Sequence, residues 1–245
     1  MKTLFVTALL AFASLTHALV TEKFSQTCPL NAEGSIRLDN INGPVEILAW
    51  NKNEVSIEAV KEASDEEAIK HIQIKVASNP SQLVIKTEHD TTWKFWDRFQ
   101  ASVHYTLHVP AKARLDKIDT VNASISVTGI HGFVDLNTVN GSIHATGLLA
   151  DAKIESVNGS LSAEYDSLEN TRSILLKSVN GRIEIALPKG AGASITTQSV
   201  NGSTHVDQAI KLEKSGKLGV AGQIGTGGPD IILKTVNGGI AVKEN

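Results

Sequence analysis

His144, Ser162, Glu184 and His205 occupy one slot of a recurring phrase, and they form the row in this sequence with the most evident acid–base potential. A carboxylate beside an imidazole can pass a proton or hold a metal. If successive copies of the phrase stack, Glu184 and His205 come within contact distance. No third ligand falls in the row, and a stacked β-structure needs a polar row facing water. The expectation is therefore a solvated surface with no catalytic residue, no metal and no cofactor. His104 and His108 in "VHYTLHV" share a strand face four residues apart, too far for easy chelation.

The other constellation is "WKFWDRF", where Trp93, Phe95, Trp96 and Phe99 make up four of the eleven aromatic side chains. Such a cluster can grip a glycan or a protein partner. It can also close the open end of a β-stack, which otherwise exposes unpaired backbone.

The phrase that would position these groups centres on Asn122 ("VNASISV"), Asn140 ("VNGSIHA"), Asn158 ("VNGSLSA"), Asn180 ("VNGRIEI"), Asn201 ("VNGSTHV") and Asn237 ("VNGGIAV"), with an earlier copy, "INGPVEI", at Asn42. From Asn122 to Asn237 the intervals are 18, 18, 22, 21 and 36 residues. A recurring period of this size marks a repeat architecture, and the last interval reads as two periods, one without its signature. After each phrase, Ile125, Ile143, Leu161, Ile183, Thr204 and Ile240 alternate with polar residues. Val127, Ala145, Ala163, Ile185, Val206 and Val242 follow two positions on. Ile118, Leu136, Ile154, Leu176 and Leu233 precede it. Period-two alternation makes both flanks strands with one buried face. Asp119, Asn137, Glu155, Lys177, Gln198 and Lys234 then face out, as a row of cross-strand charge pairs. The facing of the phrase's own Val stays open, because the alternation slips at the bend.

Asn-Gly is a strong two-residue hairpin signal, which would give an antiparallel meander. Gly tolerates positive φ there, and Asn is the next most tolerant. The same slots keep the same residue types from copy to copy, which favours stacked coils, since only stacking brings equivalent slots together and lets Asn amides bond in a ladder. The expected fold is all-β: a right-handed β-solenoid with coils of about 18–22 residues. An N-terminal β region carries one short helix, for which Ser64 and Glu67 form a capping box ahead of Ala68, Ile69 and Ile72.

The chain divides into a leader at 1–18, a β region at 19–112 and repeats at 113–245, the last two continuous with each other. The leader "MKTLFVTALLAFASLTHA" has a charge at Lys2, an apolar run and small residues near Ala18, as in a secretory signal peptide. Of the 245 residues, 23 are Lys or Arg and 26 are Asp or Glu, which disfavours a nucleic-acid partner. Cys28 is the single cysteine, so no intrachain disulfide forms. Asn122, Asn140, Asn158 and Asn201 each begin an Asn-x-Ser triplet, but glycans at every bend would crowd one another, so these are read as coincidental. "SGKLGVAGQIGTGGPD" matches no phosphate-binding pattern and is expected to be a flexible loop in place of one coil.

The stretch "GSIRLDNINGPVEILAWNKNEVSIEAVKEA", then "VHYTLHVPAKARL", the "VNGSI" repeats and the closing "IILKTVNGGIAV" resemble the bacterial putative-adhesin family of unknown function, with its adhesin-like β-solenoid head domains. The resemblance spans about residues 31 to 245. It implies an exported envelope protein, in the periplasm or on the cell surface, and carries no catalytic residues. Ala123 departs from the pattern, standing where the other copies have Gly. The expected function is a non-enzymatic adhesion-type or scaffold protein whose partner is an envelope protein or a glycan. A polysaccharide-binding or polysaccharide-active β-helix and an envelope sensory module are the alternatives. For the enzyme, the outward rows lack the paired convergent acids that glycoside hydrolysis needs.

Overall fold

Period-two alternation turns nearly every described segment into a strand. The computed structural model describes residues 19–89, 101–207, 210–216 and 219–245, with side chains described outside 208–218. Its strands are β1 (Val20–Pro29), β2 (Ser35–Asp39), β3 (Val45–Trp50) and β4 (Glu54–Ala63). After the helix α1 (Glu66–Lys70) come β5 (Ile72–Asn79), β6 (Gln82–His89), β7 (Ser102–Pro110), β8 (Arg114–Thr120), β9 (Ile125–Thr128) and β10 (Val134–Asn140). Two long strands follow, β11 (Ile143–Asn158) and β12 (Leu161–Asn180). The chain ends with β13 (Ile183–Leu187), β14 (Ala193–Asn201), β15 (Thr204–Val206), β16 (Ile210–Gly216), β17 (Gly219–Ile224), β18 (Asp230–Asn237) and β19 (Ile240–Glu244).

The strands on either side of an Asn-Gly bend do not pair with each other. Each pairs in parallel with its equivalent in the next coil: Leu136 stands beside Ile154, Ile154 beside Leu176, Ile143 beside Leu161 and Leu161 beside Ile183. The bend is therefore a corner of a stacked, solenoid-like wall, and the hairpin meander is ruled out. One wall carries the strands before the bends, in the order β6, β2, β8, β10, β11, β12, β18, β14. The other carries those after, in the order β7, β3, β9, β11, β12, β13, β19, β15. β11 and β12 are long because each runs from one wall round the second corner into the other. The inward side chains named from the sequence form one core, with Leu136, Ile154, Leu176, Ile183 and Leu233 fully buried, except that Thr204 and Val206 at the end of the stack are only half-buried.

The stacking order departs from the chain order at both ends. The β2–β3 coil sits between the β6–β7 and β8–β9 coils. The β18–β19 coil sits between the β12–β13 and β14–β15 coils. The 36-residue interval thus contains no coil that lost its signature. It holds β16 and β17, which pair antiparallel to each other and lay β17 against β14. Part of the glycine-rich stretch expected to be a loop is strand, since Gly219–Ile224 is β17.

The helix is capped one residue later than the sequence suggested. Asp65 is the N-cap, its Oδ1 accepting from the backbone N–H of Ala68 at 2.7 Å and of Glu67 at 3.0 Å. Those bonds, Ala68's first, hold the Asp65 carboxyl below the usual range. Ser64 instead donates to Asp65 Oδ2.

Candidate functional site

The bend corner is built of three parallel rows. The outermost is an amide ladder. Asn122 Nδ2 donates to Asn42 Oδ1, Asn140 to Asn122, Asn158 to Asn140 and Asn180 to Asn158, each at 2.8 Å. Asn237 donates to Asn180 at 2.7 Å and Asn201 to Asn237 at 2.8 Å. Every rung donates in the same direction, so the amide dipoles align, and Asn42 closes the row by donating to the carbonyl of Ala101 at 3.0 Å. Aligned hydrogen bonds polarise one another. The ladder also engages the amide nitrogen that a glycan on Asn122, Asn140, Asn158 or Asn201 would occupy.

A second, buried row was not recognised in the sequence. Two residues before the Asn, Thr120, Thr138, Ser156, Ser178, Ser199 and Thr235 turn their hydroxyls inward. Ser156 donates to the carbonyl of Gly141 at 3.0 Å, Ser178 to that of Gly159 at 3.0 Å and Thr235 to that of Gly181 at 3.0 Å. Ser199 donates to the carbonyl of Gly238 at 2.8 Å, while Thr120 and Thr138 both donate to that of Ala123. A small hydroxyl stands in this slot in six of the seven copies, and that was the available signal.

The glycines owe their place to this crowding. Gly141, Gly159, Gly181, Gly202 and Gly238 do not take positive φ, contrary to the reason offered from the sequence; of the seven bends only Gly43 does, at 103°. A Cβ on Gly159 would overlap the carbonyl of Gly141, and one on Gly181 that of Gly159. Ala123 is accommodated with its side chain buried, one coil from the differently shaped Gly43 bend.

The third row answers which way the phrase's apolar residue points. Ile41, Val121, Val139, Val157, Val200 and Val236 are 38–48% exposed, and Val179 is half-buried, so an apolar stripe runs beside the ladder. Bordering it, Asp119, Asn137, Glu155 and Lys177 face out as expected. Lys177 Nζ lies 4.0 Å from Glu155 and Lys153 Nζ 3.0 Å from the same carboxylate. The Glu155 bond and the nearby Asp135 carboxylate hold the Lys153 ammonium above its ordinary range.

The expected contact between Glu184 and His205 is not made. Glu184 stands beside Ala241, and Ala241 beside His205, because β19 lies between their strands. Two strand spacings, roughly 10 Å, separate their backbones. Glu184 instead takes Lys243 at 2.6 Å and Arg182 at 3.4 Å, and His205 takes Asp207 at 2.6 Å. His144 is exposed, with Ser126 and Ser162 as strand neighbours. The His108 ring lies 5.5 Å from that of Trp50, and His104 is 3.5 Å from Glu62. Trp93, Phe95, Trp96 and Phe99 lie outside the described residues. Among the described residues no group of three His, Cys, Asp or Glu side chains is placed to hold a metal, and no helix is long and apolar enough to cross a membrane.

The corner opposite the bends is concave. Three adjoining depressions of about 430, 520 and 340 Å³ run along it. The first two share Glu33 and Lys112, and the last two share Arg114, Phe133 and Asn170, so they form one trough. Glu33, Lys112, His131, Leu149 and Asn170 each stand nine or ten residues before a bend asparagine, but they share no residue type, which is why the repeat gave no sign of the trough.

Parallel coils in register from Asn42 to Asn201 and a buried hydroxyl row define the architecture, and the sequence profile described as Toastrack DUF4097 matches residues 31–243. The chain belongs to the Toastrack family. No curated protein sequence matches this Toastrack chain significantly. Among solved structures, it is similar to a putative cell adhesion protein from Clostridium sporogenes, at 12% identity and a TM-score of 0.53, over 91% of this chain and 100% of that one. It is also similar to a putative adhesin from Bacteroides fragilis, at 13% identity and a TM-score of 0.41, over 94% of this chain and 98% of that one. At these identities the first likeness is one of fold.

Proposed function

We propose that this Toastrack protein is an exported, non-enzymatic β-solenoid of the bacterial cell envelope, a binding scaffold of adhesion type. The proposal rests chiefly on the uncovered apolar stripe from Ile41 to Val200 beside the Asn ladder. Contiguous exposed apolar surface is characteristic of interaction sites. Here it is carried on coils held by side-chain hydrogen bonds, so binding costs little ordering. The name of the Clostridium sporogenes structure, a putative cell adhesion protein, points the same way. Export rests on the leader-like residues 1–18. The partner is an envelope protein or a glycan, met in the periplasm or at the cell surface, and no cofactor takes part. The coils wind right-handed with 18–22 residues each, and 19–112 continues into 113–245 as one unit.

The test is capture of envelope proteins and glycans by the secreted chain, beside a Val139→Ser/Val157→Ser variant and a Trp93→Ala/Trp96→Ala variant. Capture that falls in the valine variant supports the stripe as the binding surface. Capture of nothing by the folded wild-type chain overturns the scaffold. N-terminal sequencing should find Leu19 first; Met1 retained on a cytosolic chain overturns export.

A further inference from the structure

The trough opposite the bends has the chemistry of a site for a particular kind of polymer. It crosses five successive coils, from the turn at Glu33 through those at Lys112, His131 and Leu149 to that at Asn170. Four strand spacings make it roughly 19 Å long. It is shallow and open along its length, unlike the enclosed pocket a small cofactor occupies.

Its charges are mixed from turn to turn. Lys112, Arg114 and Arg172 line it together with Glu33 and Asp151, and Asp116 stands beside Arg114 just outside it. Arg114 Nε is bonded to Asp116 at 3.1 Å, while the exposed Arg172 lies with its Nε 3.7 Å from Asp151. Asp151 is itself fixed by the backbone N–H groups of Arg172 and Ser173, at 2.6 and 3.0 Å. The side chains of Glu33, Lys112, His131 and Asn170 make no hydrogen bond or ion pair with any described residue, and they face the trough with donors and acceptors unspent. At its centre the half-exposed Phe133 ring carries the Arg114 guanidinium 5.4 Å from its centroid, a flat patch amid the polar groups.

This pattern discriminates among polymers. A polyanion would meet Glu33 and Asp151, and a polycation would meet Lys112, Arg114 and Arg172; each loses on one set what it gains on the other. A peptide adding as a β-strand needs an unpaired edge. The floor offers none, because its turns are already bonded across the coils: Ala111 N–H donates to the Trp50 carbonyl, His131 N–H to Ala111, Arg114 N–H to Gly34 and Leu115 N–H to Phe133. A hydroxyl both donates and accepts, so a chain of hydroxyls satisfies carboxylates, cations and amides in any order. The apolar face of a pyranose ring fits a flat aromatic patch.

We propose that the trough centred on Phe133 binds an extended neutral oligosaccharide, lying along the stack with a ring on Phe133 and its hydroxyls on Lys112, His131 and Asn170. The site deepens the binding-scaffold function, on which it rests, and is separate from the valine stripe.

The test is affinity electrophoresis of the secreted chain in native gels cast with neutral polysaccharides (mixed-linkage β-glucan, galactomannan and dextran), with polygalacturonate as the anionic comparison. The wild-type chain should be retarded in at least one neutral gel, and the retardation should survive high salt. Phe133→Ala should weaken it about tenfold, the size of a stacking anchor. Lys112→Ala, at an exposed turn where folding is not at stake, should weaken it by a smaller factor, and Lys23→Ala, exposed on β1 away from both the trough and the valine stripe, should leave it unchanged. No retardation in any neutral gel, or retardation only by polygalacturonate that vanishes in salt, overturns the inference. Retardation undiminished in Phe133→Ala and Lys112→Ala also overturns it, while leaving the scaffold function standing on another surface.

Discussion

Ser156 Oγ, which is buried, donates to the carbonyl of the half-buried Gly141, one coil away, at 3.0 Å. The bond ties the inside of one bend to the backbone of the next. Ser156→Ala leaves that carbonyl without its side-chain donor and should cost about 1 kcal/mol in denaturant unfolding. Ser156→Thr should be neutral, since Thr120, Thr138 and Thr235 fill the same slot in other coils.

Adjacent glycines should respond in opposite ways. A Cβ on Gly238 would overlap the carbonyl of Gly181, whereas one on Gly239 meets only the Ser203 carbonyl, at 3.4 Å. Gly238→Ala should therefore destabilise by about 1–3 kcal/mol, as a forced backbone shift does. Gly239→Ala should change stability by less than about 0.5 kcal/mol. Thermal unfolding of the two variants side by side checks the crowding account of the bends.

Glu155 and Lys177 are strand neighbours with partly exposed side chains. Exchanging the two residues should cost no more than about 1 kcal/mol. The loss should lie toward the upper end, because the exchange brings a second cation to Lys153, which now sits 3.0 Å from Glu155. A loss several times larger would mean the row is not solvated.

The two buried tyrosines give an alkaline signature. Burial pushes the Tyr105 phenol up to about 12, against the smaller opposing effect of its hydrogen bond with Thr87, and burial also raises the Tyr165 phenol. Both stay neutral in the fold while the unfolded chain ionises from about pH 10. Stability should thus be full below pH 10 and fall as the pH rises from 10 toward 12. Tyr105→Phe blunts that fall but loses the 2.8 Å bond to Thr87, about 1 kcal/mol at neutral pH. The Tyr165 hydroxyl has no partner among the described residues, so Tyr165→Phe should blunt the fall and keep or raise stability at pH 7. Unfolding followed from pH 7 to 12 separates the two.

The walls, the ladder and the Glu155–Lys177 pair were legible because a near-constant period brings like slots together, and alternation within each period says which slots are inside. The order of the coils was not. Nothing in the phrase at Asn237 says that it enters between Asn180 and Asn201, and that insertion is what parts Glu184 from His205. The glycine rationale failed for a related reason: a single bend suggests φ, while the constraint comes from the carbonyl of the next coil. The trough was invisible because the slot nine or ten residues before each bend carries a different residue type in every coil, Lys112, His131, Leu149 and Asn170, so the repeat marks it with no pattern.

Asn158, in the middle of the ladder, donates to Asn140 and accepts from Asn180. Asn158→Asp keeps the acceptor but removes the donor, setting a carboxylate oxygen against Asn140 Oδ1. The measurement is thermal unfolding of this variant and the wild type from neutral to acid pH. At pH 7 the variant should be less stable by roughly 1–2 kcal/mol. The gap should narrow as the pH falls through the introduced carboxyl's pKa, because the protonated acid regains a donor for Asn140. A wild-type midpoint for Asn158→Asp at neutral pH would contradict the ladder and the stacked scaffold built on it.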